Sequence, residues 1–367
     1  MHRKTPAVTS GVAASRRVVA LLALSGGILA WPTMASDPGA APNWRGEGPP
    51  RKVVLGAVLS GYEIYTRPLE ERLRRMDELL DAMAAQAASR YAGKRLDLVV
   101  FPEAFVARPG KTLAERAVRL EEVQAPLAAC ARRHGCYLIT PLLLRKADPA
   151  RRISNAALLW DRDGRLVGVY RKVHPVAAVG TDVLEEGTAP GRGFPVFACD
   201  FGRVGIQICW DMLYPDGWQA LAAQGAEIVA LPTASPETAH PSMYALQHHY
   251  YIVSAAPRDH AAVYNPVGVI EAEAGADGVL VHQIDLSFAV VHWADGLDGG
   301  EALRRRYGDK VGFHYYDAQD AGIFWSNDPA MPIARMLGSL GFSERTAEVE
   351  RDRMLQDRAR GGPPAAP

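Results

Sequence analysis

The segment Val204-Gly-Ile-Gln-Ile-Cys209-Trp-Asp-Met-Leu-Tyr-Pro215-Asp216 joins an apolar run to a cysteine and then to a turn with aromatic, acidic and proline residues. The apolar run predicts a buried strand that ends at Cys209. In layered α/β proteins, ligands bind beyond the carboxyl ends of strands. Most isolated cysteines are packed core residues, so Cys209 becomes a candidate nucleophile only if other groups converge on it.

Two upstream segments supply such groups. Leu98-Val-Val-Phe-Pro102-Glu103 and Gly168-Val-Tyr170-Arg171-Lys172 each end a strand-like run with a charged residue. A thiol needs a base to become a thiolate, and the oxyanion formed by its attack needs positive charge nearby. We therefore expect Glu103 and Lys172 to meet Cys209 at one rim of a sheet.

The order of these motifs resembles the nitrilase superfamily of carbon–nitrogen hydrolases. Pro102-Glu103 comes first, then Tyr170-Arg171-Lys172-x-His174, then Cys209-Trp210-Asp211, and the resemblance covers roughly residues 52–290. Strands that alternate with helices and are interrupted by two hairpins already predict an α/β protein with mixed sheets. The resemblance sharpens this to a four-layer α-β-β-α sandwich with two mixed β-sheets.

The resemblance also implies roles for the residues that match. Cys209 would be the nucleophile that forms a thioester, and Glu103 the general base. Lys172 would stabilise the oxyanion, with the backbone N–H of Trp210 as a second donor. Members of the family commonly carry a second glutamate after the lysine.

Two residues are candidates for that second glutamate. Glu185 is preferred to Glu186 because its Glu-x-Gly spacing matches the family better, although the loop is a residue short. The remaining side chains near the motifs have less defined expected roles: Asn155 braces the site, His174 supports the loop, Asp211 caps the turn, and Tyr170, Asp211, Trp210 and Glu186 are possible pocket residues.

The residues after the nucleophile indicate the reaction class. Cys209-Trp210-Asp211-Met212 is more similar to the amidase and carbamoylase branches than to true nitrilases. We expect hydrolysis of a small linear amide or N-carbamoyl compound, with no metal and no organic cofactor. An arginine common in the family is replaced in Leu213-Tyr-Pro215-Asp216, which weakens any closer substrate assignment. Acyl transfer to an amine, or a catalytically silent binding protein, are the alternatives.

Composition limits the partners. The chain has 367 residues, 48% of them hydrophobic, and a formal net charge of zero. A neutral chain without aromatic residues interleaved among basic runs offers no nucleic-acid surface. The family resemblance, through pairing of helices near the nucleophile, implies a homodimer or a larger homo-oligomer.

The N-terminal sequence predicts export. Arg16-Arg17 precedes the short apolar stretch Val18–Ala30, which resembles a twin-arginine signal and is too short for a comfortable membrane span. We expect a signal peptide over 1–35, a linker over 36–50 and a periplasmic location without a stable membrane span in the mature chain. An uncleaved anchor is the alternative.

Three further expectations concern the remainder of the chain. The hydrolase domain is predicted over 51–290, followed by an extension over 291–367 that packs on the domain or on a neighbouring subunit and ends in a disordered tail from about 361. Helical periodicity predicts a helix from Pro68 to Tyr91 and another over 112–134. Cys130 and Cys136 could pair in an exported protein, but no cysteine has the spacing of a zinc site.

Overall fold

Strands and helices alternate along the chain, as expected for a layered α/β protein. The computed structural model describes residues 46–145, 153–292 and 295–362, so the predicted signal peptide, most of the linker and the last five residues lie outside the described residues. The strands are β1 Lys52–Val58, β2 Leu98–Val100, β3 Val118–Arg119, β4 Tyr137–Arg145, β5 Ser154–Trp160, β6 Leu166–Arg171, β7 Val196–Ala198, β8 Arg203–Ile206, β9 Ile228–Pro232, β10 Tyr251–Ala255, β11 Ala262–Tyr264, β12 Ile270–Glu273, β13 Val279–Asp285, β14 Phe288–His292, β15 Val311–Tyr316 and β16 Ala321–Ser326. The helices are α1 Leu69–Arg90, α2 Leu113–Arg116, α3 Leu120–His134, α4 Pro215–Ala223, α5 Ala239–His248, α6 Glu301–Tyr307, α7 Ile333–Gly338 and α8 Arg345–Arg360.

The first sheet has the strand order β13-β1-β2-β4-β5-β6, and β3 pairs with β4. Its central pairs β1–β2 and β2–β4 are parallel, with Leu55 opposite Leu98 and Leu98 opposite Tyr137. The outer pairs are antiparallel, and the β5–β6 hairpin turns at Asp161–Gly164 as its sequence predicts. The sheet is therefore mixed, and its parallel centre carries Pro102 and Glu103 beyond the carboxyl end of β2.

The second sheet has the order β12-β11-β10-β9-β8-β7 and repeats this plan. Strands β8, β9 and β10 are parallel, with Gly205 opposite Val229 and Ile252 opposite Val229, while the flanking pairs are antiparallel. The two sheets also meet through backbone hydrogen bonds beyond their ends, from Ser60 N–H to the Ala256 carbonyl and from Ala256 N–H to the Val58 carbonyl, both 3.1 Å.

Alternate residues of each strand pack in different layers, because successive side chains of a strand point to opposite faces of its sheet. In β1, Val53 and Leu55 pack between the sheets, whereas Val54 packs against α1. In β9, Ala230 packs between the sheets and Leu231 packs against α4 and α5. The predicted four-layer α-β-β-α sandwich with two mixed β-sheets is confirmed.

The segment from 288 onward forms a third sheet with the order β14-β16-β15. One of its faces completes the core between the main sheets through Phe288, Val290 and Ile323. Its other face packs on α6 and α7 through Val291, Phe324 and neighbouring apolar residues. This sheet was not predicted, since the segment shows no clear alternation of apolar and polar residues.

The helix predicted over 112–134 is wrong in one respect, because it is broken between α2 and α3. Val118 and Arg119 leave the helical path to pair with the end of β4. Glutamates at the third position stabilise each new helix start: Glu115 accepts from Thr112 N–H at 3.0 Å, and Glu122 accepts from Arg119 N–H at 2.8 Å. Periodicity alone treated the two pieces as one helix because both have apolar residues at compatible spacing.

Two smaller expectations also concern the described residues. All four cysteines are free thiols, so the alternative of a Cys130–Cys136 disulfide is not realised. Within the residues that the structure describes, no helix is both long and apolar enough to cross a membrane.

A pair of adjacent core residues tests the layered packing. Leu158 faces the helices and Leu159 faces the second sheet, and both are fully buried. Replacing either by alanine will lower the free energy of unfolding by about 2–5 kcal/mol, measured by urea denaturation. The exposed Val167 of β6 is the control, and its alanine variant will change stability by less than about 0.5 kcal/mol. A neutral Leu158→Ala or Leu159→Ala variant would contradict burial on both faces of the sheet.

Candidate active site

Cys209 lies where β8 turns sharply into a 3₁₀ turn, Cys209–Leu213. Gln207 continues the strand with a backbone hydrogen bond of 3.0 Å to Ala230, and Ile208 is still extended. Cys209 itself has a φ of 45°, in the left-handed region that residues other than glycine rarely adopt. Such a conformation costs about 1–3 kcal/mol and persists only where neighbouring contacts enforce it.

The carboxylate of Asp211 enforces this turn. It accepts hydrogen bonds from Ile208 N–H at 2.9 Å, His174 N–H at 2.9 Å and the Tyr170 hydroxyl at 2.7 Å. The His174 ring lies 3.0 Å from the same carboxylate. The hydrogen bond to Asp211 raises the pKa of His174, and it outweighs the opposite effect of burial. Asp211 thus joins the Cys209 turn to the segment that follows β6, which carries Lys172.

Glu103 approaches from the carboxyl end of β2. Its Oε1 accepts hydrogen bonds from Asn155 Nδ2 at 2.7 Å and from Lys172 Nζ at 3.0 Å. The Tyr65 hydroxyl donates to the Glu103 backbone carbonyl at 2.8 Å. The residue is therefore held through its backbone and through one carboxylate oxygen, and its second carboxylate oxygen has no hydrogen bond to another described residue.

Lys172 directly follows β6 and is only 1% exposed. Its ammonium forms ion pairs with both Glu103 and Glu185. Burial by itself would lower the pKa of Lys172, but the negative charges of its acidic neighbours, Glu103 foremost, raise that pKa above its ordinary value. The residue is a fixed cation in a site from which water is largely excluded.

Glu185 and Glu186 point to different partners. Glu185 contacts Lys172 and accepts from Val176 N–H at 3.2 Å and from Asn155 Nδ2 at 3.3 Å. Glu186 instead pairs with Arg116 at 2.7 Å. Both residues have positive φ values, 34° and 57°. The structure therefore places Glu185, the preferred candidate, beside Lys172.

Electrostatics keep the Cys209 thiol protonated. Burial and the nearby charge of Glu103 raise the pKa of the Cys209 thiol to about 12, although Lys172 and hydrogen bonds from Ala234 N–H and Thr233 act in the opposite direction. The resting thiol is consequently protonated at neutral pH. Nucleophilic attack then requires a carboxylate that accepts its proton as the bond forms.

A cavity of about 350 Å³ opens onto this group. Glu103, Asn155, Glu185 and Ala234 line one end of it, whereas Cys209 and Lys172 are not among its lining residues. The other lining residues are Tyr62, Tyr65, Ala104, Leu113, Arg116, Leu143, Glu186 and Thr188. Its volume is near the lower limit for ligand pockets, which favours a small substrate.

Not every predicted pocket residue reaches the cavity. Glu186 lines it, but neither Tyr170 nor Asp211 is among its described lining residues, because both are fully buried and bonded to each other. Trp210 is 38% exposed and is not among the lining residues of the cavity. The Trp210 N–H belongs to the first residues of a helical turn, which have no acceptor within the turn.

Tyr65, Arg116 and Thr233 also lie at this site, although no motif indicated them. Thr233 follows β9 directly, so its position beyond a strand end was an available signal. Tyr65 and Arg116 lie in short helical turns, 62–66 and 113–116, where no spacing rule indicates a role.

One group of side chains elsewhere has the geometry of a metal site. Asp77, Cys130 and His134 lie on α1 and α3, and their ligand atoms lie within 4.8 Å of one another. The carboxylate of Asp77 already pairs with Arg133 and His134. A guanidinium at this position opposes cation binding, so we assign no metal to the group.

Comparison with known proteins places the chain among enzymes of related chemistry. Residues 57–290 match the family model described as carbon-nitrogen hydrolase. Citrullinase of Francisella tularensis subsp. tularensis is 29% identical over 178 residues, which span 47% of this chain and 59% of that protein. Omega-amidase NIT2 of Homo sapiens is 29% identical over 213 residues, 52% of this chain and 76% of that protein.

The fold has solved relatives. Saccharomyces cerevisiae Nit3, a member of branch 10 of the nitrilase superfamily, superposes with a TM-score of 0.52 at 23% identity, covering 71% of this chain and 95% of that chain. At this identity the likeness concerns the fold.

The arrangement of Glu103 and Cys209 predicts a selective loss of thiol reactivity. Glu103→Gln will slow the alkylation of Cys209 by iodoacetamide at neutral pH by roughly 100-fold, because the proton acceptor is lost. Peptide-resolved mass spectrometry measures this rate against Cys130 and Cys136, whose pKa values are also raised to about 12 by burial.

The matched control is Glu227→Gln, which removes a buried carboxylate paired with Arg51 outside the cavity. An unchanged or faster reaction of Cys209 in Glu103→Gln would contradict the role of Glu103. Removing the negative charge alone would lower the thiol pKa and accelerate alkylation, so the two explanations predict opposite signs.

Proposed function

The chain belongs to the carbon–nitrogen hydrolase family, as its motifs predicted, and from this premise we propose that it hydrolyses a non-peptide C–N bond in a small linear amide or N-carbamoyl compound. The observation that carries the proposal is the buried Lys172 ammonium, held by Glu103 and Glu185 and electrostatically coupled to the Cys209 thiol. A cation fixed in this way is suited to stabilise an oxyanion that forms on a carbonyl attacked by Cys209.

Acylation uses three of these groups. Glu103 accepts the proton of the Cys209 thiol while the sulfur attacks the carbonyl carbon, and the carbonyl oxygen becomes an oxyanion. Lys172 Nζ and the Trp210 N–H stabilise that oxyanion. When it collapses, the C–N bond breaks, Glu103 returns the proton to the leaving nitrogen, and ammonia or an amine departs from a thioester on Cys209.

Deacylation reverses the proton movements. Glu103, again a carboxylate, accepts a proton from a water molecule that attacks the thioester carbon. The second oxyanion forms at the same position, and its collapse breaks the C–S bond. The sulfur takes the proton back from Glu103, and the carboxylic or carbamic acid product leaves.

Glu185 serves this cycle by position. Its carboxylate holds Lys172 and Asn155, and Asn155 in turn holds Glu103. The ammonium has two carboxylate partners, so it stays in place when Glu103 takes up a proton. We therefore assign Glu185 the role of a positioning residue.

The relatives support the substrate class. One is named citrullinase, and citrulline is an N-carbamoyl compound; the other is named an omega-amidase. The chain spans 59% of the citrullinase, so that likeness alone assigns no substrate. A small cavity with an apolar wall fits linear amides and ureido compounds alike.

Two properties of the whole protein stay predictions. Export to the periplasm depends on residues outside the described part of the chain. The prediction of a homodimer or larger homo-oligomer rests on family resemblance, and light scattering at micromolar concentration tests it. A monomeric mass would contradict that prediction.

The direct test is ammonia release from a panel of linear amides, N-carbamoyl amino acids and nitriles. We expect release from at least one amide or carbamoyl compound, and its loss by more than about 1,000-fold in Cys209→Ala. Cys199→Ala, which removes a free thiol remote from the cavity, is the matched control and will retain activity.

The panel also separates the alternatives. A thioester that forms on Cys209 but is not hydrolysed, and that gives a new amide only when an amine is added, would favour acyl transfer. No release together with an unreactive Cys209 would contradict catalysis and favour a binding protein of this fold.

A further inference from the structure

A second pair of charges lies in the same cavity, apart from the catalytic group. Arg116, the last residue of α2, donates through Nη2 to Glu186 Oε1 at 2.7 Å. Both residues line the cavity, and their side chains are 33% and 54% exposed. The catalytic steps derived above use neither residue, so the pair is available for another role.

The pair has unused hydrogen-bonding capacity. A guanidinium carries five N–H donors in a planar fork. Among the described residues, Glu186 is the single hydrogen-bond partner of the Arg116 side chain, and Nε is buried without any partner. Glu186 likewise uses one of its two carboxylate oxygens. A planar fork with free donors matches the geometry of a second carboxylate.

The charges of the cavity select the kind of ligand. At one end, two carboxylates, Glu103 and Glu185, share the single ammonium of Lys172. That end carries a net negative charge, and the Arg116–Glu186 pair adds none. A ligand with only a carboxylate would enter a negative site, whereas a zwitterion brings its own cation. Glu186 can bind the ammonium of such a ligand while Arg116 binds its carboxylate.

The remaining wall is mainly apolar and aromatic. Tyr62, Tyr65 and Thr188 also line it, and the Tyr65 hydroxyl is already bonded to the Glu103 carbonyl. Ala104, Leu113 and Leu143 line the cavity without offering side-chain hydrogen bonds. This composition suits an aliphatic chain that joins a reactive amide to a charged end. The volume of about 350 Å³ limits that chain to a few methylene groups.

We propose that Arg116 and Glu186 form a specificity site for the α-amino-acid end of the substrate, with its carboxylate on Arg116 and its ammonium on Glu186. The inference rests on the proposed function and names its substrate class: α-amino acids that carry a terminal amide or ureido group on a short aliphatic side chain. Arg116 and Glu186 bind and orient this end, and they take no part in proton transfer.

Four amides of equal length test the inference. Glutamine carries both charges, 4-aminobutanamide lacks the carboxylate, glutaramate lacks the ammonium, and butanamide lacks both. The same square is run with one and two added methylenes and with ureido end groups. Binding is measured by calorimetry on Cys209→Ala, and turnover by ammonia release from the unsubstituted protein.

We expect the zwitterion to bind roughly 10- to 100-fold more tightly than either singly charged amide at the best chain length. Arg116→Ala will remove the advantage conferred by the carboxylate, and Glu186→Gln the advantage conferred by the ammonium. Arg116→Lys, which keeps the charge but not the planar fork, will have an intermediate effect. Arg165→Ala, at a surface pair with Asp163, is the matched control.

The pattern across the square decides the inference. A pair that only joins α2 to the 185–187 turn would change the affinity for all four compounds by the same factor. That result, or equal binding of butanamide and the zwitterion at every length, would overturn the proposal. Turnover of butanamide without any preference for charge would overturn it while leaving the proposed hydrolysis intact. Selective binding without turnover would support it and count against hydrolysis.

Discussion

The buried ammonium of Lys172 is the interaction on which the site depends. An unpaired charge with 1% exposure would be strongly unfavourable, so the fold must bring carboxylates to it. Glu103 comes from the end of β2 and Glu185 from a strained turn after β6. Two carboxylates surround one ammonium, so each buried charge is stabilised only while the three side chains stay in contact. This requirement constrains the relative positions of segments that lie far apart in sequence.

The Cys209 turn is fixed by a separate network with a similar logic. Asp211 is fully buried and satisfies Ile208 N–H, His174 N–H and the Tyr170 hydroxyl. Because His174 lies two residues after Lys172, this carboxylate joins the Cys209 turn of one sheet to the Lys172 segment of the other. The positive φ of Cys209 is thereby maintained, and the thiol interacts electrostatically with Glu103 and Lys172.

The sequence was most informative where a strand ends in a chemically distinctive residue. Glu103, Lys172 and Cys209 each follow an apolar run. The expectation that all three meet at the rim of one sheet is wrong in one respect, because Glu103 and Lys172 follow strands of the first sheet whereas Cys209 follows β8 of the second. It was least informative where residues meet through loops or long-range packing. Arg116 reaches the cavity because α2 ends before a two-residue strand, and periodicity had merged that break into one helix. The choice of Glu185 over Glu186 depended on motif spacing, whereas the structure separates them by their partners, Lys172 and Arg116. The third sheet could not be inferred, since β14 and β16 are buried on both faces and lack alternation.

The central claim is that Cys209 carries the acyl group during the reaction. Rapid acid quenching of the protein mixed with an amide substrate, followed by peptide mass spectrometry, measures this directly. We predict that the peptide containing Cys209 will gain the mass of the acyl group within a single turnover, and that Cys130, Cys136 and Cys199 will remain unmodified. Steady turnover with no acyl adduct on Cys209 at any quench time, including in a variant with slowed deacylation, would contradict the account.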